Sequence, residues 1–194
     1  MLCCNDLNVH MQAEQVALLR DRMVDGLIIS PVGNDSELAQ ALSGADIPIV
    51  LVDRVLEGLQ YDAVVLDNRA AVGAAMRYLL SLGHRRIGFI SGMLTSFTGR
   101  ERLAGYETAL KSAGIKVEQG LIEVGNFRPD EAYNATLRLM TGPNPPTALF
   151  ASNNQMMISV VKAIRDLGLS CPEDISIVGI DDFPWAEAFT PQLT

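Results

Sequence analysis

Residues 147–157 read TALFASNNQMM. A short apolar run over 148–150 gives way to Ser152, Asn153 and Asn154, and an apolar pattern resumes only at Met156 and Met157. The run is entered through the Pro-rich turn GPNPPT at 142–147, too short to be a linker. A strand buried on both faces has this brevity, and the pattern after it has helical spacing. Two primary amides at the seam admit two readings. Either caps the helix that begins at Gln155, or either faces a ligand, and one amide can do each.

The same handover recurs along the chain. Runs rich in β-branched residues at 24–32, 47–52, 63–66, 87–90, 121–124, 148–150 and 175–180 alternate with helical spacing at 11–23, 37–42, 71–82, 103–113, 131–140 and 156–167. Gly83, Gly114 and Gly168 follow helical segments where a left-handed residue is wanted, and Asp35, Asn68 and Asp130 stand where a cap or first-turn acceptor belongs. Strand and helix repeated in this way predict an α/β fold: parallel strands with helices packed on both faces.

Composition sets the bounds. With 194 residues, 48% hydrophobic and 20% charged, the chain can bury a core and fits one or two domains. Its formal charge of -8 repels phosphate backbones, and the densest basic cluster, His84, Arg85 and Arg86, is simply read as complementing a helix dipole. Nucleic-acid binding by this segment alone is not expected. Cys3, Cys4 and Cys171 make an odd set without metal-ligand spacing, so reduced thiols in a cytoplasm are expected and no metal. The first fifteen residues carry neither a basic region nor an apolar stretch fit for a signal peptide or membrane span. No dinucleotide or phosphate loop motif and no nucleophile elbow occurs, so neither a cofactor nor an enzyme is expected.

In an open parallel sheet, ligands bind outside the carboxyl ends of the strands. The polar residues at those ends are Asp53 and Arg54, Ser91 and the following MLTSFTGRER, Phe127, Asn153, and Asp181 with Asp182. Together they supply donors and acceptors for vicinal hydroxyls and a ring face for the apolar side of a sugar. Each has a plainer role open to it. Asn153 can cap, Phe127 can belong to the core, and the Asp181–Asp182 pair can make a turn. Arg102 falls in a first helical turn if Thr98 is the cap, where the dipole disfavours a cation, or it pairs with a nearby Glu on the surface.

Six stretches, VDGLIISP, IPIVLVDR, VVLDNRAAVGAAMRYLLSLGHRRIGFISG, RERLAGYETALKSAG, PPTALFASNNQMM and DISIVGIDDFPWAEAFTPQLT, follow one another as in the effector-binding core of the lactose-repressor family of bacterial transcription regulators, which nearly the whole chain resembles. The resemblance implies a two-lobed, periplasmic-binding-protein-like α/β fold around a cleft. Residues 1–64 would form part of an amino-terminal lobe, 65–185 the carboxy-terminal lobe, and 186–194 the start of the crossing back. The first lobe is expected to be incomplete, the chain being cut at both ends relative to family members.

By matching motif, Asp53, Thr98, Arg102, Phe127, Asn153 and Asp181 are the expected effector contacts, with the aromatic stacking on a ring and the others bonding hydroxyls. Asn154 departs from the Asp that many members carry. The resemblance also implies a small carbohydrate-like effector, operator DNA read by a helix-turn-helix absent from this chain, and a homodimer. Sugars, sugar phosphates and purines are all recognised within the family. A periplasmic sugar-binding protein of a transporter is the other reading of the same fold, and the lack of a leader and the unpaired cysteine count against it.

Overall fold

A computed structural model describes every residue except 5, 34, 35, 45, 183–185 and 187–194. Packing divides the chain into two units, Met1–Leu66 with Thr95–Thr98, and Asp67–Leu94 with Gly99–Thr194. The expected cap Asp35 lies outside the described residues, as does the crossing expected over 186–194 apart from Ala186.

In the first unit, β1 (Leu27–Ile29), β2 (Ile49–Val52) and β3 (Asp62–Val64) form a parallel sheet in that order. Helix α1 (Val9–Asp21) starts where Asn8 Oδ1 accepts the Met11 N–H, and α2 (Ser36–Ser43) packs beside it. Alternation along the strands buries Leu27, Ile29, Ile49 and Leu51 against Val16, Leu38 and Leu42 of the helices. Both helices therefore cover one face, where helices on both had been expected. The opposite face leaves Ile28 80% and Val64 68% exposed.

The second unit has the expected two-sided wrapping. Its strands β4 (Ile87–Ser91), β5 (Ile122–Val124), β6 (Ala148–Ala151) and β7 (Ser176–Gly179) are parallel and ordered β5-β4-β6-β7. Helices α3 (Asn68–Ser81) and α4 (Phe97–Ser112) pack on Ile87, Phe89, Ala148 and Phe150. Helices α5 (Pro129–Thr141) and α6 (Asn154–Asp166) pack on Ile90, Leu149 and Ala151. Odd and even positions of β4 and β6 thus feed opposite cores, which is why these strands read as unbroken apolar runs.

Gly83, Gly114 and Gly168 adopt the positive φ expected of them just past α3, α4 and α6. Of the cap or first-turn place expected for Asn68 the structure takes the second: Asp67 caps α3, its Oδ1 accepting the Ala70 N–H, and Asn68 is the first helical residue. Asp130 lies in the first turn of α5, whose cap position is Arg128.

The order β5-β4-β6-β7 contains a reversal. From β4 the chain runs through α4 to β5 on one side; from β6 it runs through α6 to β7 on the other. Connections that leave two adjacent strands in opposite directions open a crevice at their carboxyl ends. Those ends are Ser91 and Ser152.

Tyr106 closes the α4 side of this core. It is fully buried, its hydroxyl donates to the Ile87 carbonyl at 2.8 Å, and its ring lies 4.8 Å from that of Phe89. Burial pushes its phenol well above the ordinary range. Tyr106→Phe strands that carbonyl and is expected to cost about 1–3 kcal/mol in urea unfolding. Tyr78→Phe, at a 56% exposed position, is the control expected to change nothing measurable.

Candidate functional site

Arg102 occupies the crevice end of the second unit. It is 5% exposed, its Nε donates to Asn68 Oδ1 at 2.7 Å, and its Nη1 donates to the Ser152 carbonyl. Asp181 Oδ2 lies 3.9 Å from Nη1, with the carboxylate side chain 45% exposed. A guanidinium so buried is costly unless acceptors meet it, and here neutral oxygens from α3 and the end of β6 do so.

Both readings of Arg102 made from the sequence need correction. Helix α4 begins at Phe97, so Thr98 is inside it and Arg102 is its sixth residue, beyond the turn where the dipole acts. The surface pair with a neighbouring glutamate belongs to Arg69, which holds Glu101 at 2.6 and 2.9 Å and ties α3 to α4. The Arg69 guanidinium is held above its ordinary value chiefly by the Glu101 hydrogen bond.

The two amides of the opening stretch divide as one of the alternatives had it. Asn153 caps α6, its Oδ1 accepting the Met156 N–H at 2.9 Å, and Asn154 is the first helical residue. Among the described residues no hydrogen bond engages Asn153 Nδ2, which leaves a donor beside Ser152. The hydroxyls of Ser91 and Ser152, fully buried at the ends of β4 and β6, have no partner there either.

Phe127 is half-buried and packs on the α5–α6 core. Its ring also lies against Gly92: a Cβ there would come within 1.9 Å of it. Gly92 is thus a residue that only the structure singles out. Its signal in sequence, a glycine just past a strand, is too common to have found it.

Three of the six expected contacts share a feature invisible in sequence. Asp53, Phe127 and Asp181 have φ of 68°, 60° and 71°, each within three residues of a strand's carboxyl end. Left-handed backbone at a non-glycine residue costs roughly 1–3 kcal/mol and persists where the surroundings enforce it, most often at ligand sites.

Arg102, Asn153, Phe127 and Asp181 all stand at the carboxyl edge of the second unit's sheet. Asp53 and Thr98 belong to the first unit. There the Asp53 N–H donates to the Val64 carbonyl at 2.9 Å and its carboxylate lies 3.2 Å from Arg54 Nε. Thr98 is buried, with its hydroxyl 3.5 Å from that of Ser96.

A cavity also opens in the first unit. About 650 Å³ open along the outer edge of β1, between Met1, Leu2 and Cys4 on one side and Leu27 and Ile29 on the other. It contains none of the six expected residues, and its lining mixes aliphatic side chains such as Val16 and Leu27 with Gln12, Gln15, Asp25 and Arg54. Four of the six expected residues gather instead at the carboxyl edge of the second unit's sheet, where Arg102 and Asp181 approach each other. Among the described residues no group of three or more His, Cys, Asp or Glu could hold a metal ion. Cys3 and Cys4 are exposed and free, and burial, the largest effect, raises the thiol of Cys171 above its usual range.

Parallel sheets wound with helices, and polar side chains gathered at their carboxyl edge, define a ligand-binding domain of the periplasmic-binding-protein kind. Residues 76–194 match the periplasmic binding protein-like domain family. The HTH-type transcriptional repressor PurR of Proteus mirabilis is 36% identical over 196 positions, covering 100% of this chain and 58% of that protein.

Among solved structures, a sugar-binding transcriptional regulator of the LacI family from Escherichia coli, complexed with phosphate, aligns with a TM-score of 0.81. It is 30% identical, over 95% of this chain and 67% of that one. The transcriptional regulator CelR in complex with cellobiose aligns with a TM-score of 0.85 at 31% identity, over 94% and 56%. The chain belongs to the LacI family of transcriptional regulators and represents part of the effector-binding domain. It spans 55–59% of the length of the curated relatives it matches. Among the described residues no helix is long and apolar enough to cross a membrane.

Gly92→Ala forces the Phe127 ring off its seat. It is expected to lower stability by about 1–3 kcal/mol and to shift the Phe127 ring resonances in NMR spectra. Gly120→Ala, where an added Cβ meets nothing within 4 Å, should leave those resonances in place.

Proposed function

We propose that this chain senses a small, neutral, hydroxyl-rich effector, carbohydrate-like in chemistry, and that occupancy controls operator DNA binding in a cytoplasmic homodimer. The DNA would be read by a helix-turn-helix outside the 194 residues. The observation that carries the reading is Arg102: a buried guanidinium at the switch point, held by neutral acceptors, with a partly solvated carboxylate 3.9 Å away.

In this reading Arg102 and the Asn153 amide donate to effector hydroxyls, Asp181 accepts from them, and the Phe127 ring covers an apolar face. Asp53 and Thr98 are proposed as further effector contacts because they match the family's motif. The lobes are placed at 1–64 and 65–185, with the return crossing at 186–194; a division in packing after Leu66 supports the first boundary. The cellobiose held by CelR supports a sugar, and the HTH-type repressor PurR supports control of DNA. A ligand that prefers one arrangement of such a protein shifts its population, so binding energy is spent on conformation and no chemistry is needed.

A thermal-shift screen of ribose, glucose, cellobiose, ribose 5-phosphate and adenine tests the class of effector, since a ligand bound to the native state raises its apparent stability. A neutral sugar should give the largest shift. Arg102→Ala is expected to weaken that sugar about 10- to 100-fold, the range for losing a charged hydrogen bond. Asp181→Asn, at an exposed position that tolerates substitution, should weaken it less, by about tenfold. Unchanged affinity in both variants would overturn the assignment.

A further inference from the structure

Asn68 was expected as a helix cap or a first-turn acceptor, and it stands in the first turn with its acceptor turned to a tertiary partner. It is the first residue of α3, 2% exposed, while the capping belongs to Asp67 next to it. A buried primary amide demands hydrogen-bond partners, and Asn68 Oδ1 meets Arg102 Nε at 2.7 Å. Two adjacent residues of nearly equal shape thus divide two tasks by charge. The carboxylate goes to the helix end, where the dipole favours it, and the neutral amide goes to the cation.

We propose that Asn68 is a positioning residue for effector binding: it fixes the Arg102 guanidinium through Nε without neutralising it, so the positive charge stays available to the effector. The inference rests on the reading of Arg102 given above. A carboxylate at the same place would hold the guanidinium equally well and withdraw its charge into a buried pair. The Ser152 carbonyl follows the same logic, being a neutral acceptor on a second edge of the cation. The carboxylate of Asp181 stands 3.9 Å from Arg102 and is open to solvent, where water weakens the attraction.

The proposal separates stability from affinity, which a purely structural role cannot do. Asn68→Asp keeps the shape, adds an ion pair and places an acid in the first turn of α3, so its midpoint of thermal unfolding should equal or exceed that of the parent chain. Its affinity should nevertheless fall, by about tenfold for the best neutral sugar among ribose, glucose and cellobiose, and by more for ribose 5-phosphate. Asn68→Leu removes the acceptor, and the Arg102 Nε–H resonance should lose its protection from solvent exchange while it persists in Asn68→Asp.

Parent-like affinity in Asn68→Asp, or affinity and stability falling together, overturns the proposal. So does a protected Nε–H in Asn68→Leu. If Arg102→Ala also binds as the parent does, or if the parent chain binds none of these four probes, it is the reading of the site that fails. Loss of binding in Arg102→Ala with no change in Asn68→Asp confines the failure to Asn68.

Discussion

A positive charge removed from water governs the arrangement of the second unit. Arg102 is nearly inaccessible, and its charge is met by Asn68 from the start of α3 and by the Ser152 carbonyl from the end of β6. Burying a guanidinium without such partners is strongly unfavourable, so the ends of α3, α4 and β6 must keep their mutual placement for the fold to hold. The reversal in strand order puts the ends of β4 and β6 side by side. Topology supplies the crevice, and the cation gives it chemical character.

The four strands and four helices described in the second unit were legible because its central strands are buried on both faces. Ile87 to Ile90 and Ala148 to Ala151 read as continuous apolar runs since alternate residues serve the α3–α4 core and the α5–α6 core. Their boundaries were legible to within a few residues where a glycine or an amide marks them, as Gly83, Gly168 and Asn153 do. The first unit was read less well. Its run at 24–32 predicted a long buried strand, and only Leu27–Ile29 pairs, with Ile28 turned outward to an uncovered face. Hydrophobicity reports which residues can be buried; it does not say what covers them.

The site was legible as a set of positions and illegible as a set of interactions. Strand ends locate themselves, because a polar residue after an apolar run is visible. Arg102 was read against a cap at Thr98, which puts the first helical residue at Gly99; the helix begins two residues earlier, at Phe97, and the tertiary acceptors that decide its state lie 34 and 50 residues away in sequence. Left-handed backbone at Asp53, Phe127 and Asp181 has no signature in residue type, since Asp is tolerant of that region and Phe is not. Of the two places open to Asn68, cap or first turn, it takes the first turn, and its partner Arg102 was not legible. Local rules assign an amide near a helix start to the nearest orphan N–H, and the rule had already been satisfied by Asp67.

Strain and desolvation act together at this edge. The turn that carries Phe127 has two successive left-handed residues, and Asn126 Nδ2 donates to Glu131 Oε2 at 2.5 Å, fastening the turn to the first helical turn of α5. The ring is pressed where only glycine leaves room, at Gly92 just past β4. In the function proposed here, a floor of this kind is set before the guest arrives, so little ordering remains to be done on binding. The desolvated cation of Arg102 lies 3.9 Å from the partly solvated carboxylate of Asp181, which sets donors and an acceptor side by side at this edge. In the function proposed here, such a balance favours a neutral guest rich in hydroxyls, because each hydroxyl can accept from Arg102 or donate to Asp181. A charged guest would satisfy one of these groups and oppose the other.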